Sequence, residues 1–504
     1  TSGFFDPNSK FSYKTVLNMQ DEITKISTGQ AMKGYKWEAS GKKGAKTVRT
    51  PDGVRYITAT KKDLFSSMNY QSSAILGDFV YGKHGLNNTM PITTEKELDP
   101  LTGRRRNVTK ERPTTSRKEV RLLPDPTGFL EKLMTYKALL YIVTSVVEIE
   151  DRLDENSYIH TQYSYAATGR STSSKPNLQN IMQRSVFEIV RKSLGLYKSA
   201  FEVPDIEHFL YYKRDLSQAE LRWFCFVYKI YSMAEAYEKK EDLHAKTAMR
   251  VMGKTPEEFW NMEKHEIASA RTDIGKGNNF GNIYGISIKG FIDYMRLNFG
   301  VILTEEEAEH QHRVFFSMFP EIRPAHEKQK ALIHRKGYSE TPFGDRRDLP
   351  DLRSKNTYFR AEAERHGINQ PVQGAAGVAM MFSAVIFELR KRIIGLDGRI
   401  INLIHDDTPG YMRKDQSYRF QVELREACNN PPYPEYFGFE MDMAQMLSEA
   451  EVGSNWKDVE ELPDLAEEFK EKNPSVDLED LKTPEEILLY LYDQDEKFIK
   501  YLML

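Results

Sequence analysis

Three aspartates raise the first chemical question. Asp215 closes the apolar-aromatic run FLYYKRD, and Asp406 and Asp407 follow His405 in RIINLIHDDTPGYM. Carboxylate oxygens are the ligands Mg²⁺ prefers, completed by water and substrate phosphates. Two aspartates from separate strands can bridge two ions about 4 Å apart, the arrangement used for in-line displacement at phosphorus. Aspartate is also a common turn residue, so each one alone reads equally as an ordinary turn carboxylate.

The run RTDIGKGNNFGNIYG spaces Lys276, Phe280 and Tyr284 by four, which puts them on one face of a helix. A cation, a ring and a phenol in that order can hold a triphosphate, a sugar and a base edge. They can also be a core stripe with a snorkelling lysine. Gly281 and Gly285 weaken an ordinary helix by up to about 1 kcal/mol each, and make sense where a base or ring approaches the backbone. In ERHGINQPVQG, Arg365, Asn369 and Gln373 fall at i, i+4 and i+8. Donors so spaced can read a minor groove, whose acceptors are common to all base pairs. A solvated polar face is the plainer alternative.

These residues need elements to hold them. FLYYKRDLSQAELRWFCFVY reads as a strand running into a helix, Arg271–Tyr284 as a helix in register, and Phe359–Arg390 as a long helix. Ile400–Tyr411 reads as a hairpin with HDD at its turn, Gly337–Pro350 as a turn-rich hairpin, and Thr168–Ile181 as a polar loop. Upstream, TVRTPDGVRYITAT predicts a hairpin. Leu76, Phe79 and Val80 predict a helix closed by Gly85, and Thr127–Ile149 predicts a long helix with an apolar stripe through Leu130, Leu133, Met134, Leu140 and Val143.

The 504 residues allow about three domains. Apolar residues at 40%, charged residues at 29% and a mean hydropathy of −0.59 describe a globular chain. No run approaches the ~20 apolar residues of a membrane span, so no membrane partner is expected. Cys225 and Cys428 stand far apart, which excludes a disulfide scaffold and fits a reducing compartment. Of the net charge of −3, Glu460–Leu504 carries −9, leaving +6 for the rest. Thr102–Arg121 holds eight basic residues against two acidic ones, marking either a solvated loop or a nucleic-acid contact. The amino end, TSGFFDPNSK, lacks an initiator Met and any apolar leader, so the chain is expected to be processed or a fragment.

In chain order these segments resemble the family A DNA polymerases, of the DNA polymerase I type. DLSQAELR (Asp215–Arg222), KGNNFGNIYG (Lys276–Gly285) and HDD (His405–Asp407) are similar to that family's motifs A, B and C. TGRSTSSKPNLQNI, GYSETPFGDRRDLP and RHGINQPVQGAA match further family segments. MNYQSSAILGDFVYGKHGL and RPTTSRKEV resemble its thumb, and GSNW the end of its palm. The similarity covers roughly 61–458.

The resemblance implies an α+β fold shaped as a right hand, with an antiparallel-sheet palm, helical fingers and a helical thumb. Thumb and amino-terminal extension would span 1–130, the palm 131–235 and 361–459, the fingers 236–360, and an acidic extension 460–504. Asp215 and Asp406 would be metal ligands for two Mg²⁺ ions, with Mn²⁺ able to substitute. Lys276 would join them in catalysis. Glu220 would be the steric gate against a 2′-hydroxyl, and Gln218, Lys276, Phe280, Tyr284 and Arg271 would bind the dNTP. Arg170, Asn180, Arg365, Asn369, Gln373 and His405 would contact primer–template DNA. The implied activity is template-directed dNTP addition to a primer 3′-hydroxyl in replication or repair, in the cytoplasm of a prokaryotic or virus-infected cell, or in an organelle.

Three departures stand out. The family usually has HDE where this chain has Asp407, and Tyr where it has Leu216. Its motif B arginine, four before the lysine, is here Thr272; Arg271 lies five before. Five residues turn an α-helix through about 500°, leaving Arg271 about 140° from Lys276. A π-bulge would restore the register; otherwise another cation, such as Lys264 or His265, must serve. Only about sixty residues precede the thumb-like part and none form an Asp-x-Glu pair, so proofreading is not expected. The acidic tail would be a helix docked on the palm or a partner-binding segment. Two rival readings remain. A single-subunit RNA polymerase is opposed by Glu220, and comparing rNTP with dNTP use discriminates. A catalytically dead nucleic-acid-binding relative is opposed by Asp215, Asp406 and Lys276, and primer extension discriminates.

Overall fold

The computed structural model describes residues 128–462 almost throughout, excepting 183, 184 and 186 and the side chains of 418 and 462. Before 128 it describes Val80, Tyr81, Val120, Leu123 and the backbone of five strands. The predicted helix around Leu76–Gly85 therefore lies outside the described residues, apart from a helical Val80 and Tyr81. The acidic tail beyond 462 lies outside them too.

The chain divides into two compact units, Thr1–Asp151 with Met182–Tyr197, and Arg152–Ile181 with Lys198–Leu504. In the first, β1 (Lys36–Ala39), β2 (Lys46–Arg49) and β3 (Arg55–Thr58) form an antiparallel meander, and the β2–β3 pairing matches the expected hairpin, whose Pro-Asp-Gly residues lie outside the described residues. β4 (Ile92–Leu98) pairs with β5 (Arg105–Glu111) as a two-stranded ribbon. Part of the basic block is thus a strand, not a loop. Helix α1 (Phe129–Glu150) buries Phe129, Leu130, Leu133, Tyr136, Leu139, Ile142 and Val143, at the i, i+3, i+4 spacing of one apolar face. Met134 and Leu140, expected on that stripe, are only half-buried. Helix α2 (Glu188–Ser199) buries Val190, Leu194 and Tyr197.

The second unit is built on an antiparallel sheet ordered β11-β12-β8-β13-β14. Its members are β8 (Phe209–Leu216), β11 (Gly398–Ile400), β12 (Gly410–Arg413), β13 (Ser448–Gly453) and β14 (Val459–Leu462). β8 is central, with Leu210, Tyr211, Tyr212, Arg214 and Leu216 all buried. It runs into α3 (Ala219–Tyr228), as the sequence pattern predicts. Trp223 on α3 is fully buried, among the rings of Phe226, Phe343, Tyr433 and Phe439 at centroid distances of 5.4–6.3 Å.

A run of helices follows: α4 (Tyr231–Glu238), α5 (Leu243–Met252), α6 (Pro256–Trp260), α7 (Lys264–Ser269), a π-helix over Ala270–Lys276, α8 (Gly277–Asn282), α9 (Ile288–Phe299), α10 (Glu305–Met318) and α11 (Ile322–Lys336). The expected hairpin then appears as β9 (Tyr338–Glu340) and β10 (Arg346–Asp348). Helix α12 (Thr357–Ile394) returns to the sheet, and α13 (Ser417–Asn429) and α14 (Tyr433–Phe437) complete the unit. The polar loop expected at Thr168–Ile181 instead contains β7 (Ser171–Ser174), paired with β6 (Gln162–Tyr165). A Ser/Thr strand exposed on one side carries no apolar alternation to announce it.

α12 carries Pro371 in its interior, which removes the N–H that would bond the Gly367 carbonyl four residues back. Ser339 Oγ at 2.7 Å and Gln329 Nε2 at 2.9 Å donate to that carbonyl instead, so the helix continues. By length and hydropathy α12 also meets the criterion for crossing a bilayer, contrary to expectation. However, 61% of its apolar window is buried inside the protein, against α3, α11 and α13.

Candidate active site

Hydrogen bonds join Asp215 to the turn carrying Asp406 and Asp407. The Leu216 N–H donates to the Asp406 carbonyl at 2.8 Å, and the Thr408 N–H to the Arg214 carbonyl at 2.8 Å. Asp215 and Asp407 form an antiparallel bridge. The turn reverses through His405, held at φ 55°, and closes with reciprocal Ile404–Asp407 bonds. On the other side of β8, Asp215 lies opposite Glu449 of β13.

The electrostatics follow from this crowding. Although the Asp215 side chain still reaches solvent, the protein around it and the Asp407, Asp406 and Glu449 carboxylates push its pKa up to about 7, against a pull from Lys213. Burial raises Asp406 to about 6, with Arg170 opposing. Burial and Glu451 raise Asp407 to about 7, with Lys213 opposing. Asp407 Oδ1 is buried with no hydrogen-bond partner. Under-compensated carboxylates of this kind fit a divalent cation, which supplies the missing positive charge and takes oxygen ligands. Among the described residues no three of His, Cys, Asp and Glu converge as a ready-made metal cluster. A pair of aspartates completed by substrate phosphates and water does not need one.

Beside the aspartates, Glu220 in the first turn of α3 forms an ion pair with Arg170, and its Oε2 accepts a 2.5 Å hydrogen bond from the Tyr284 hydroxyl. Burial and this carboxylate raise the Tyr284 pKa well above its usual 10. Arg170 reaches Glu220 because its loop lies directly against α12. A Cβ on Gly377 would stand 3.0 Å from Arg170 Cγ, and one on Gly374 3.1 Å from the Thr168 carbonyl. His405 sits in the same cluster: burial and Arg170 lower its pKa, and Glu220 works against them. Gln218, left-handed at φ 52°, turns its Oε1 towards the Tyr237 hydroxyl at 3.0 Å.

Lys276 and Phe280 lie side by side, while Tyr284 falls in the turn just past the end of α8. Lys276 Nζ lies 5.8 Å from the Phe280 ring centroid. The helix is not regular before them. The π-helix over Ala270–Lys276 replaces i→i+4 by i→i+5 bonding, so residues five apart approach as neighbours. Arg271 and Lys276 both lie close enough to His244 to help lower its pKa, though burial is the larger cause, bringing it to about 4. Arg271 is ion-paired with Asp242, the N-cap of α5.

His244 was missed in the sequence. Its ring lies 6.0 Å from Phe280, and its Nδ1 accepts from Asn279 Nδ2 at 2.8 Å. A lone His at the second position of a helix carries no signal of this; only the packing of α5 on the π-helix reveals it. Gly275 permits that packing, since a Cβ there would run into the His244 carbonyl.

On α12, Asn369 Nδ2 donates to Gln373 Oε1 at 3.2 Å, while Asn369 Oδ1 is buried without a partner. Arg365 is half-buried about 12 Å along the axis from Gln373, by helix rise. Asn180 is exposed, its N–H bonded to Asn177 Oδ1 at 3.1 Å. Its neighbour Gln179 is buried and ties the Ser171–Asn180 segment to the HDD turn, donating to the Leu403 carbonyl at 2.5 Å.

Comparison with known proteins gives consistent matches. A family model described as DNA polymerase family A matches residues 56–458. DNA polymerase I of Streptococcus pneumoniae serotype 4 is 32% identical over 284 residues, covering 55% of this chain and 30% of its own length. The DNA polymerase of Bacillus phage SP01 is 24% identical over 463 residues, covering 88% of this chain and 47% of its own. The chain thus spans less than half the length of these relatives. The solved POL domain of Pol1 from M. smegmatis, in complex with DNA primer-template and dNTP, superposes with a TM-score of 0.63 at 22% identity. That match covers 88% of this chain and 66% of the solved one.

Proposed function

Because the chain belongs to DNA polymerase family A, we propose that it is a template-directed DNA polymerase module that adds dNTPs to a primer 3′-hydroxyl. The observation carrying this is the convergence, at the carboxyl end of the central strand β8, of Asp215, Asp406, the Glu220–Tyr284 pair and Arg170. The sheet would be the palm, over 131–235 and 361–459, and the helices of 236–360 the fingers.

Asp215 and Asp406 would hold the divalent ions, Mg²⁺ with Mn²⁺ able to substitute. When bound, two such ions activate the 3′-hydroxyl and stabilise the leaving pyrophosphate. The remaining chemistry belongs to the chain. Lys276 would neutralise charge building on the triphosphate, joined by Arg271 and by His244, neutral near pH 7 and therefore able to donate one hydrogen bond. Phe280 would pack on the deoxyribose. Glu220, fixed by Arg170 and Tyr284, would fill the space a 2′-hydroxyl needs, excluding rNTPs by a clash rather than by a lost contact. Tyr284 would face the nascent pair. Asn369 and Gln373 would turn amide donors to minor-groove acceptors beside Arg170, while His405 would lie under the primer end. Arg365 and Asn180 would contact the DNA backbone further out.

Primer–template DNA and dNTPs are the partners this reading requires, and bacterial and phage relatives suit action in a bacterial or phage-infected cytoplasm. The test is extension of a labelled primer with each dNTP in turn. Addition of only the template-complementary nucleotide supports the reading; no addition with either Mg²⁺ or Mn²⁺ overturns it.

A further inference from the structure

Arg222 closes the segment DLSQAELR, yet the reaction above gives it no task. It is 5% exposed on α3, and among the described residues no carboxylate forms an ion pair with it, Glu449 acting only as a more distant charge. A buried guanidinium without a counter-ion is costly unless its donors are satisfied. Here Nε donates to the Ser217 carbonyl at 2.8 Å and a terminal nitrogen to the Gln445 carbonyl at 2.6 Å. The guanidinium carbon stands 4.2 Å from the centroid of the Tyr237 ring.

Both carbonyls belong to backbone under strain. Ser217 precedes Gln218, a non-glycine at φ 52°, and Gln445 follows Ala444, another at φ 46°. Such conformations persist where surrounding contacts over-determine them. The Tyr237 hydroxyl, under the same guanidinium, donates to Gln218 Oε1 at 3.0 Å, and the Ser217 N–H to the Leu447 carbonyl at 2.8 Å. Ser217, Gln218, Arg222 and Tyr237 thus form a closed loop of contacts around one bend. Asp215 lies two residues before that bend and Glu220 two after it.

We infer that Arg222 is a positioning residue: its buried fork holds the left-handed bend at Ser217–Gln218 so that the Asp215 carboxylate and the Glu220 side chain keep a fixed mutual setting. This rests on the polymerase reading. Its consequence is that metal use and sugar selection are set by one clamp and fail together when it is loosened. A purely structural arginine would alter stability and leave both alone.

Arg222→Lys keeps the charge and one carbonyl but loses the fork. Melting temperature, primer–template affinity, single-turnover rate, the Mg²⁺ concentration for half-maximal rate and rNTP/dNTP discrimination are measured on wild type and variant. Expected are DNA affinity within about twofold, a rate about 10- to 100-fold lower, as for small misplacements of reacting groups, a higher Mg²⁺ requirement and weaker discrimination. A variant that melts earlier but matches wild type in rate, Mg²⁺ requirement and discrimination overturns the inference. If Arg222→Lys does not fold, Tyr237→Phe decides: it keeps the ring and frees Gln218, so discrimination falls if the clamp acts on the bend and is unchanged if it does not. Glu220→Ala is run alongside. Wild-type protein that extends no primer, or unchanged discrimination in Glu220→Ala, places the failure in the polymerase reading instead.

Discussion

Replacing Arg271 tests what the π-helix is for. In a regular α-helix the five-residue spacing would turn this guanidinium away from Lys276; the π-helix over Ala270–Lys276 brings both towards His244. The Arg271 side chain is 45% exposed and paired with Asp242, and a pair that open to water contributes about 0.2–1 kcal/mol. A charged contact to a triphosphate is worth about 2–4 kcal/mol on truncation. Setting the broken Asp242 pair against it leaves about 1–3.8 kcal/mol, or about 5- to 600-fold in kcat/KM for dNTP at 1.36 kcal/mol per decade. Asp242→Asn keeps an N-cap of equal quality and frees Arg271, so it should leave kcat/KM unchanged or raise it by up to about fivefold, the ceiling of the lost pair. In the Arg271→Ala background the same change should do nothing. Steady-state kinetics of the four proteins form a double-mutant cycle. A loss below about 0.5 kcal/mol for Arg271→Ala, the scale of an ordinary surface site, would refute the reasoning and send the search to Lys264 and His265.

Other outcomes follow from the same geometry. Glu220→Ala should raise rNTP use by about one to two orders of magnitude and, by leaving Arg170 and Tyr284 without their partner, cost about 1–3 kcal/mol of stability; unchanged discrimination would remove Glu220 from the gate. Asp215 and Asp407 at about 7 and Asp406 at about 6 are carboxylates raised by folding. The stability they give metal-free protein is present below the ordinary carboxylate range and lost as pH rises through 6–7. The Tm gained on adding Mg²⁺ should therefore be small near about pH 5.5 and full near about pH 8; a gain that is flat with pH would contradict the site. Converting Arg104, Arg105 and Arg106 together to Ala should flatten the salt dependence of primer–template binding by about 0.9 per lost phosphate contact, with extension at saturating DNA unchanged. An unaltered slope would return the basic block to a solvated role.

Much of this site was legible because its carriers have strong periodicity. The strand-to-helix passage at Phe209–Tyr228, the hairpin bearing HDD and the long helix through Asn369 and Gln373 are all where the apolar pattern puts them. What escaped depends on contacts between residues distant in sequence. Arg170 and Glu220 lie fifty positions apart, and nothing local to either announces an ion pair. β7 is a serine-rich strand with no alternation, and β5 hides in a run of charge. The π-helix was foreseen only as one of two ways out of a spacing mismatch. The residues ARTDIGK carry no signal for it, because the packing that Gly275 allows against α5 is tertiary. Arg222 bonds carbonyls, which exist at every position, so its partners had no sequence signature.

The central claim is that Asp215 and Asp406 act in the chemical step and not in holding DNA. The most direct measurement is the single-turnover rate of one complementary dNTP addition beside the primer–template dissociation constant, on wild type, Asp215→Asn and Asp406→Asn in the same buffer. The account predicts at least about a thousandfold loss of rate in each variant, about 4 kcal/mol at 1.36 kcal/mol per decade, with DNA affinity within about threefold of wild type, since phosphate contacts dominate it. Near-normal addition by either variant would contradict it, as would a rate loss matched by an equal loss of DNA binding.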